Sequence, residues 1–279
     1  MSARVETSAA PWTARRLRAE ELRARHSFAA EVLTLYLALL PVQEDAWRTA
    51  RESAPPPAEL PRWAAARVLP AVVEATAAAG PATLREAVRT RPGESALAGW
   101  LAGVDLDPVD RYLARASLAP VLEALGEQAG AACAREHGED GLLCPGCGGL
   151  PQLSHVAASG EELVSGRRSL LCSRCGASWG YTRSACPACG ETDDERLLVY
   201  TEHWAGPVSV NGNGDGAVSA VFPQLRIAGC ATCRRYLIEI DMARDGRAVP
   251  EVDELAALPL DLYAADQGLT KVTPNLMGF

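Results

Sequence analysis

Eight of the nine cysteines fall into four Cys-x-x-Cys pairs: Cys144 with Cys147, Cys172 with Cys175, Cys186 with Cys189, and Cys230 with Cys233. Two thiols separated by two residues can turn their sulfurs toward one point. Two such knuckles complete a tetrahedral sulfur site for Zn or for a single Fe. Gly148, Gly176 and Gly190 follow the second cysteine of three pairs, a place where a knuckle often demands a positive φ. Arg234 stands there in the fourth pair and departs from the pattern, while Pro145 and Pro187 lie inside two of the loops. The gaps between successive pairs are 24, 10 and 40 residues. The plainest grouping is sequential, with Cys144, Cys147, Cys172 and Cys175 as one site and Cys186, Cys189, Cys230 and Cys233 as the other. Interleaved pairing, as in cross-braced modules, stays open on spacing alone.

Other chemistries of cysteine fit less well. Four disulfides suit a secreted chain, but Met1 to Arg25 carries Arg and Glu and no apolar run ending in a small-residue cleavage site, so no secretory signal is expected. Thioredoxin-like exchange uses one pair opening a helix in a βαβ unit, a context these pairs lack. Cys133 follows Ala131 and Ala132 in an apparent helix and reads as a small buried apolar residue. His26, His137, His155 and His203 show no ligand spacing, and His203 with Trp204 reads as ordinary loop packing. The chain has no G-x-S-x-G elbow, Walker A loop, G-x-G-x-x-G or H-E-x-x-H, and nothing nominates a nucleophile with its base, so no catalytic residue is assigned and an enzyme is not expected.

Composition bounds the partners. The 279 residues are 48% hydrophobic and only 5% aromatic, with a net charge of −8. Of the 27 basic residues Lys271 is the single lysine. From Cys144 onward 11 basic residues face 16 acidic ones. Zinc ribbons that bind nucleic acid usually carry a basic face, so nucleic acid is not an expected partner. The longest nearly apolar run, Phe28 to Val42, is 15 residues, contains Glu31 and is too short to span a bilayer, so no membrane insertion is expected.

Two kinds of element must position the cysteines. Residues 1–140 read as an all-α domain. Thr13 to Leu40 carries an apolar stripe near period 3.6 that Pro41 is expected to stop. Pro55 to Pro57 breaks the chain, and Leu60 to Ala79 follows, with Pro61 near its start and a kink expected at Pro70. Short helices are predicted over Ala82 to Thr90 and Glu94 to Gly103. Asp107 then caps a long helix that opens with Pro108 and runs to about His137. Residues 138–143 form a short linker. Strand signals follow at Ser169 to Leu171, Trp179 to Thr182, Arg196 to Thr201, Leu225 to Ala228 and Tyr236 to Asp241, with a turn or hairpin tip at Asn211 to Gly216. Glu251 to Gln267 reads as a closing helix that Pro259 kinks or splits and Gly268 ends. The expectation is an α+β chain: a helical domain over 1–140, a four-cysteine β module over 141–185, and a second over 186–279 with the closing helix.

The run Arg168, Ser169, Leu170, Leu171, Cys172, Ser173, Arg174, Cys175, followed by Trp179, Arg183, Cys186 and Cys189, resembles the core of the formate dehydrogenase accessory protein family, FdhE. The opening Cys144-Pro145-Gly146-Cys147-Gly148 fits, as does the tail of Asp253-Glu254-Leu255, Leu260-Asp261 and Pro274-Asn275-Leu276. The specific motifs lie within 144–279. The resemblance implies a helical domain followed by two rubredoxin-like, zinc-ribbon-type modules. It implies a cytoplasmic, chaperone-like assembly factor, not an enzyme, that serves maturation of respiratory formate dehydrogenase and binds its molybdenum-containing catalytic subunit. It also implies two tetrathiolate metal ions, Fe or Zn, held by the eight paired cysteines. Homodimerisation stays open. A rubredoxin-type redox protein acting in metalloenzyme maturation is the nearest alternative, and a nucleic-acid-binding zinc ribbon a more distant one. Trp179 is expected to pack between modules, and Arg183 either packs or faces the partner.

Overall fold

The computed structural model describes residues 10–91, 93–133, 141–157, 166–202 and 221–278. His137, His203, Trp204, the turn at Asn211 to Gly216 and part of the 138–143 linker lie outside them. The helical part comprises α1 (Ala10–Arg25), α2 (Ala30–Ser53), α3 (Leu60–Arg67), α4 (Leu69–Ala79), α5 (Ala82–Val88), α6 (Gly93–Leu101) and α7 (Pro108–Leu125). Strands β1 (Pro151–Val156), β2 (Arg168–Cys172), β3 (Ser178–Gly180), β4 (Leu197–Thr201), β5 (Leu225–Cys230) and β6 (Arg235–Asp241) follow. The short helices α8 (Pro250–Asp253) and α9 (Leu258–Asp266) and the two-residue strand β7 (Thr270–Lys271) close the chain. The architecture is α+β, with no helix among the described residues long and apolar enough to cross a membrane.

Local rules place several boundaries. Asp107 caps α7 by accepting from the amides of Val109 at 3.0 Å and Asp110 at 3.3 Å, a bond set worth about 1 kcal/mol, and Pro108 occupies the first turn. The Leu60 to Ala79 stretch breaks at Val68 between α3 and α4, and the closing helix splits around Ala257, just before Pro259. Three expectations are corrected. Pro41 does not end a helix: α2 runs through it to Ser53, because its apolar face, with Leu39, Leu40, Ala46 and Ala50 buried, outweighs one lost backbone bond. The stripe from Thr13 to Leu40 is two helices, since His26 takes an extended backbone and Ser27–Ala29 a 3-10 turn. The helix beginning at Pro108 ends at Leu125, where Gly126 adopts φ +55° and a 3-10 stretch continues to Ala132; Cys133 follows it with extended backbone.

Seven strands form one sheet in the order β3-β2-β1-β6-β5-β4, with β7 beside the first residues of β6. The pairings β3-β2, β2-β1, β6-β5 and β5-β4 are antiparallel, β7 joins β6 in parallel, and β1 joins β6 in parallel through Ser154 to Glu239, His155 to Ile240 and Val156 to Asp241. Strand β2, which ends at Cys172, thus shares a sheet with β5, which ends at Cys230. One face of the sheet, with Leu153, Ile227, Ile238 and Ile240, packs on Leu33, Tyr36 and Leu40 of α2 and on Leu255 and Leu260 of the closing segment. A second core joins α2 to α7 and extends to Cys144, Cys147, Cys172 and Cys175.

Buried ion pairs fix α1 to the C-terminal segment. Arg18, 3% exposed, grips the Asp253 carboxylate with Nε at 3.0 Å and Nη2 at 2.5 Å, and also meets Asp245 at 2.8 Å. Arg15 lies over the Trp12 ring and bridges Glu123 on α7 at 3.1 Å to Glu251 on α8 at 2.6 Å.

Candidate metal centres

Each cysteine pair sits where backbone geometry turns both sulfurs one way. The first pair closes with the amide of Gly148 donating to the Cys144 carbonyl at 2.8 Å, the third with Gly190 to Cys186 at 2.9 Å, and the fourth with Arg234 to Cys230 at 3.0 Å. Gly148, Gly176 and Gly190 have φ of +69°, +68° and +77°. Arg234 takes φ +59° in the same role, a left-handed conformation that a side chain resists. Its position is held from outside: the guanidinium donates to the Gln267 carbonyl, and its own carbonyl accepts from the Thr270 amide at 2.8 Å. The departure seen in the sequence therefore leaves the knuckle shape intact.

The structure gathers the cysteines sequentially. Cys144, Cys147, Cys172 and Cys175 form one group and Cys186, Cys189, Cys230 and Cys233 another, with all sulfurs of a group within 4.8 Å of one another. Sulfur–sulfur contacts include 3.7 Å for Cys144 to Cys175, 3.4 Å for Cys147 to Cys172, and 3.8 Å for both Cys186 to Cys233 and Cys189 to Cys230. A tetrahedron of sulfurs about 2.3 Å from a central ion has edges of about 3.8 Å, so both groups fit a four-coordinate metal. Amide donors reach the sulfurs as well: Arg174 to Cys172 and Ala188 to Cys186, each at 3.4 Å. Each cluster can hold one metal ion.

The crowded thiols shift one another's protonation. At Cys144 the hydrogen bond with Cys147 raises the pKa, but those with Cys172 and Cys175 outweigh it and bring the thiol down to about 7. Hydrogen bonds with Cys144 and Cys147, together with burial, push Cys172 and Cys175 far above the ordinary range. In the second cluster burial drives Cys186 up and takes Cys233 to about 11. Four sulfurs this close cannot all become thiolates without a cation between them.

The surroundings place the other residues singled out in the sequence. Cys133 is buried in the same core as the first cluster, and its neighbour Cys147 is the chief cause that pushes its thiol up. Trp179 packs between that core and a small one of Leu170, Leu237 and Val272, with its indole donating to the Gly141 carbonyl at 2.8 Å. His155 meets the Ser178 hydroxyl at 3.3 Å, and His26 stacks on Phe222, so neither belongs to a cysteine group. The tail motifs prove to be internal ties. Lys271 reaches Glu254 at 2.9 Å and Asp261 at 3.1 Å, Tyr236 donates to Asp261 at 2.8 Å, and Arg115 donates to the Pro274 carbonyl at 2.8 Å. Burial alone would lower the Lys271 pKa, but the two carboxylates hold it above its usual value. Burial keeps Glu254 above the usual carboxylate range.

Comparison with known proteins bears on this architecture. No family model matches the chain. A "Protein FdhE homolog" of Aquifex aeolicus is 34% identical over 136 residues, which are 49% of this chain and 41% of the relative. Another, from Pseudomonas aeruginosa, is 34% identical over 139 residues, 50% of this chain and 40% of that one. The crystal structure of the FdhE protein from Pseudomonas aeruginosa superposes with a TM-score of 0.61 at 23% identity, covering 95% of this chain and 94% of that one. The resemblance to the FdhE family holds. It is strongest over half the chain, about two fifths of each curated relative, while the fold similarity to FdhE extends over nearly all of it.

Proposed function

We propose that the chain is an accessory factor in the maturation of formate dehydrogenase, and that it acts by binding the enzyme's molybdenum-containing catalytic subunit in the cytoplasm. The observation that carries this reading is the pair of four-cysteine clusters set in an FdhE-like fold. In this reading Cys144, Cys147, Cys172 and Cys175 ligate one metal ion, and Cys186, Cys189, Cys230 and Cys233 the other. Iron in such a site carries one electron; zinc supplies rigidity alone. The chain's own residues do the remaining work. The knuckles lock short loops without a large core, and the sheet ties both clusters to the helices, so the outer loops present a fixed surface to a partner.

A second reading draws on the exposure of Cys189. A sulfur ligand open to solvent is where an electron enters or leaves a buried iron, so the second cluster suits redox exchange during maturation.

Deletion of the gene tests the first reading. Formate-dependent activity is expected to disappear while the catalytic polypeptide persists, and the catalytic subunit is expected to co-purify with the tagged chain. Normal activity in the deletion strain overturns it. Elemental analysis with a visible spectrum on anaerobically purified chain tests the second. Two Fe with thiolate charge-transfer bands support it, and a colourless zinc form that restores full activity removes it.

A further inference from the structure

We propose that the sheet face turned away from the helices, beside the second cysteine cluster, docks an acidic segment of a protein partner. Pairing register sets Ser154 of β1, Glu239 of β6 and Arg226 of β5 side by side on this face. Arg168 of β2 approaches the same carboxylate from the other side, Nε to Oε2 at 2.8 Å, and Arg226 grips Oε1. Two guanidinium groups thus share one carboxylate. Arg168 is 5% exposed, and its other bonds are long, 3.3 Å to the Ser154 hydroxyl and 3.4 Å to the Thr182 carbonyl. Arg183 stands exposed at the rim, donates to the Gly166 carbonyl at 2.5 Å, and makes no ion pair among the described residues.

These three arginines line a groove of about 190 Å³ in which Glu239 is the only acidic residue among the described residues. Its walls include Leu197, Leu198, Val199 and Ala228. Val199 is 63% exposed, and β4, which carries it, is the last strand of the sheet. The chain as a whole carries −8, yet in this groove three arginines face Glu239 and, in the metal-loaded chain, the Cys186 thiolate, which leaves a surplus of one positive charge beside apolar walls. Carboxylates are the complement: fork-shaped guanidinium groups take them in two parallel bonds, and opposite fields speed and orient docking. Aliphatic side chains between the carboxylates would cover Val199 and Leu197. A polyphosphate strand would meet the same arginines but would leave the apolar wall bare.

The proposal rests on the reading of the chain as a partner-binding protein, and the two fail separately. The full metal-loaded chain is titrated against a fluorescein-labelled Glu-Glu-Leu repeat peptide at low and physiological salt, followed by anisotropy. Saturable binding that weakens with salt is expected. Arg183→Glu is expected to weaken it about tenfold or more, while Arg48→Glu, at an exposed α2 site paired with Asp45, leaves it within about twofold. Absence of binding, equal binding by Arg183→Glu, or equal binding of a Lys-Lys-Leu peptide overturns the proposal. Tighter binding of a dT12 oligonucleotide overturns it by assigning the groove to phosphate. In the deletion strain, failure of the wild-type chain to restore formate dehydrogenase removes the accessory reading whatever the peptide does. Full restoration by Arg183→Glu removes the docking proposal and leaves the accessory reading standing.

Discussion

The two cysteine clusters share ligand type, spacing and knuckle shape, yet they sit in opposite surroundings. The four sulfurs of the first are buried in the core that joins α2 and α7, and Gly176 of its second knuckle lies against Glu123 of α7. In the second, Cys189 is exposed and Cys233 half-buried, and the nearest support comes from β7 and the α9 terminus through Arg234. The same chemistry thus serves two structural ends. If both clusters hold metal as proposed, emptying the first is expected to open a hydrophobic core and emptying the second to loosen only the loops around Cys189 and Cys233. Stability measurements on matched variants separate the two.

Cys147→Ser carries the largest expected effect. Cys147 is fully buried, and its loss is expected to release one metal and cost at least about 4 kcal/mol, a fall in Tm on the order of 10 °C. A melt within a few degrees of wild type would show that the first cluster is not part of the core's support. Glu239→Gln follows, since Glu239 is the seam on which Arg168 from the first half and Arg226 from the second converge. Burial pushes the Glu239 pKa up, but the two guanidinium groups and the Ser154 hydroxyl more than reverse this and hold it below the usual 4.5. Its contribution is therefore present above about pH 4.5 and is lost as pH falls through the lower folded-state value. The variant is expected to lose about 3 kcal/mol at pH 7 and to show a shallower acid limb below pH 4.5, read by denaturant melts across pH. An unchanged acid limb would remove Glu239 from the seam.

Cys189→Ser is expected to release only the second metal and cost about 2 kcal/mol, with the first metal retained in elemental analysis. Loss of both metals would mean that the clusters are coupled through the shared sheet. Gly190→Ala is the mildest change. A Cβ there meets nothing within 4 Å, so the cost is the strain of φ +77° alone, about 1 kcal/mol. A larger loss would show that the second knuckle is braced more tightly than its exposure suggests.

The contrast also marks what sequence can reveal. The knuckles were legible because two cysteines and a following glycine are a local signal, and the Asp107 cap with Pro108 is equally local. Sequential grouping of the pairs agrees with the geometry. Strand β1 was missed: it begins at Pro151, and the clear hairpin signals lie after it. Its parallel union with β6 links residues more than 80 positions apart and leaves no periodic trace. The survival of α2 through Pro41 depends on packing against α7, which no window around residue 41 contains. Cys133, read as a small buried apolar residue, is buried in the core beside the first cluster. The tail acids Asp253, Glu254 and Asp261 looked like a motif, but their partners Arg18 and Lys271 become visible only once the chain has closed on itself.

Lys271 gives the molecule a built-in reporter. It bears the only side-chain amine in the sequence, and that amine is buried between Glu254 and Asp261 at the end of the sheet. Acylating reagents that label lysine would find no surface ε-amine on the folded chain. They would reach this one only when β7 parts from α9 and the Glu254 turn, so the rate of modification at a single atom times that opening.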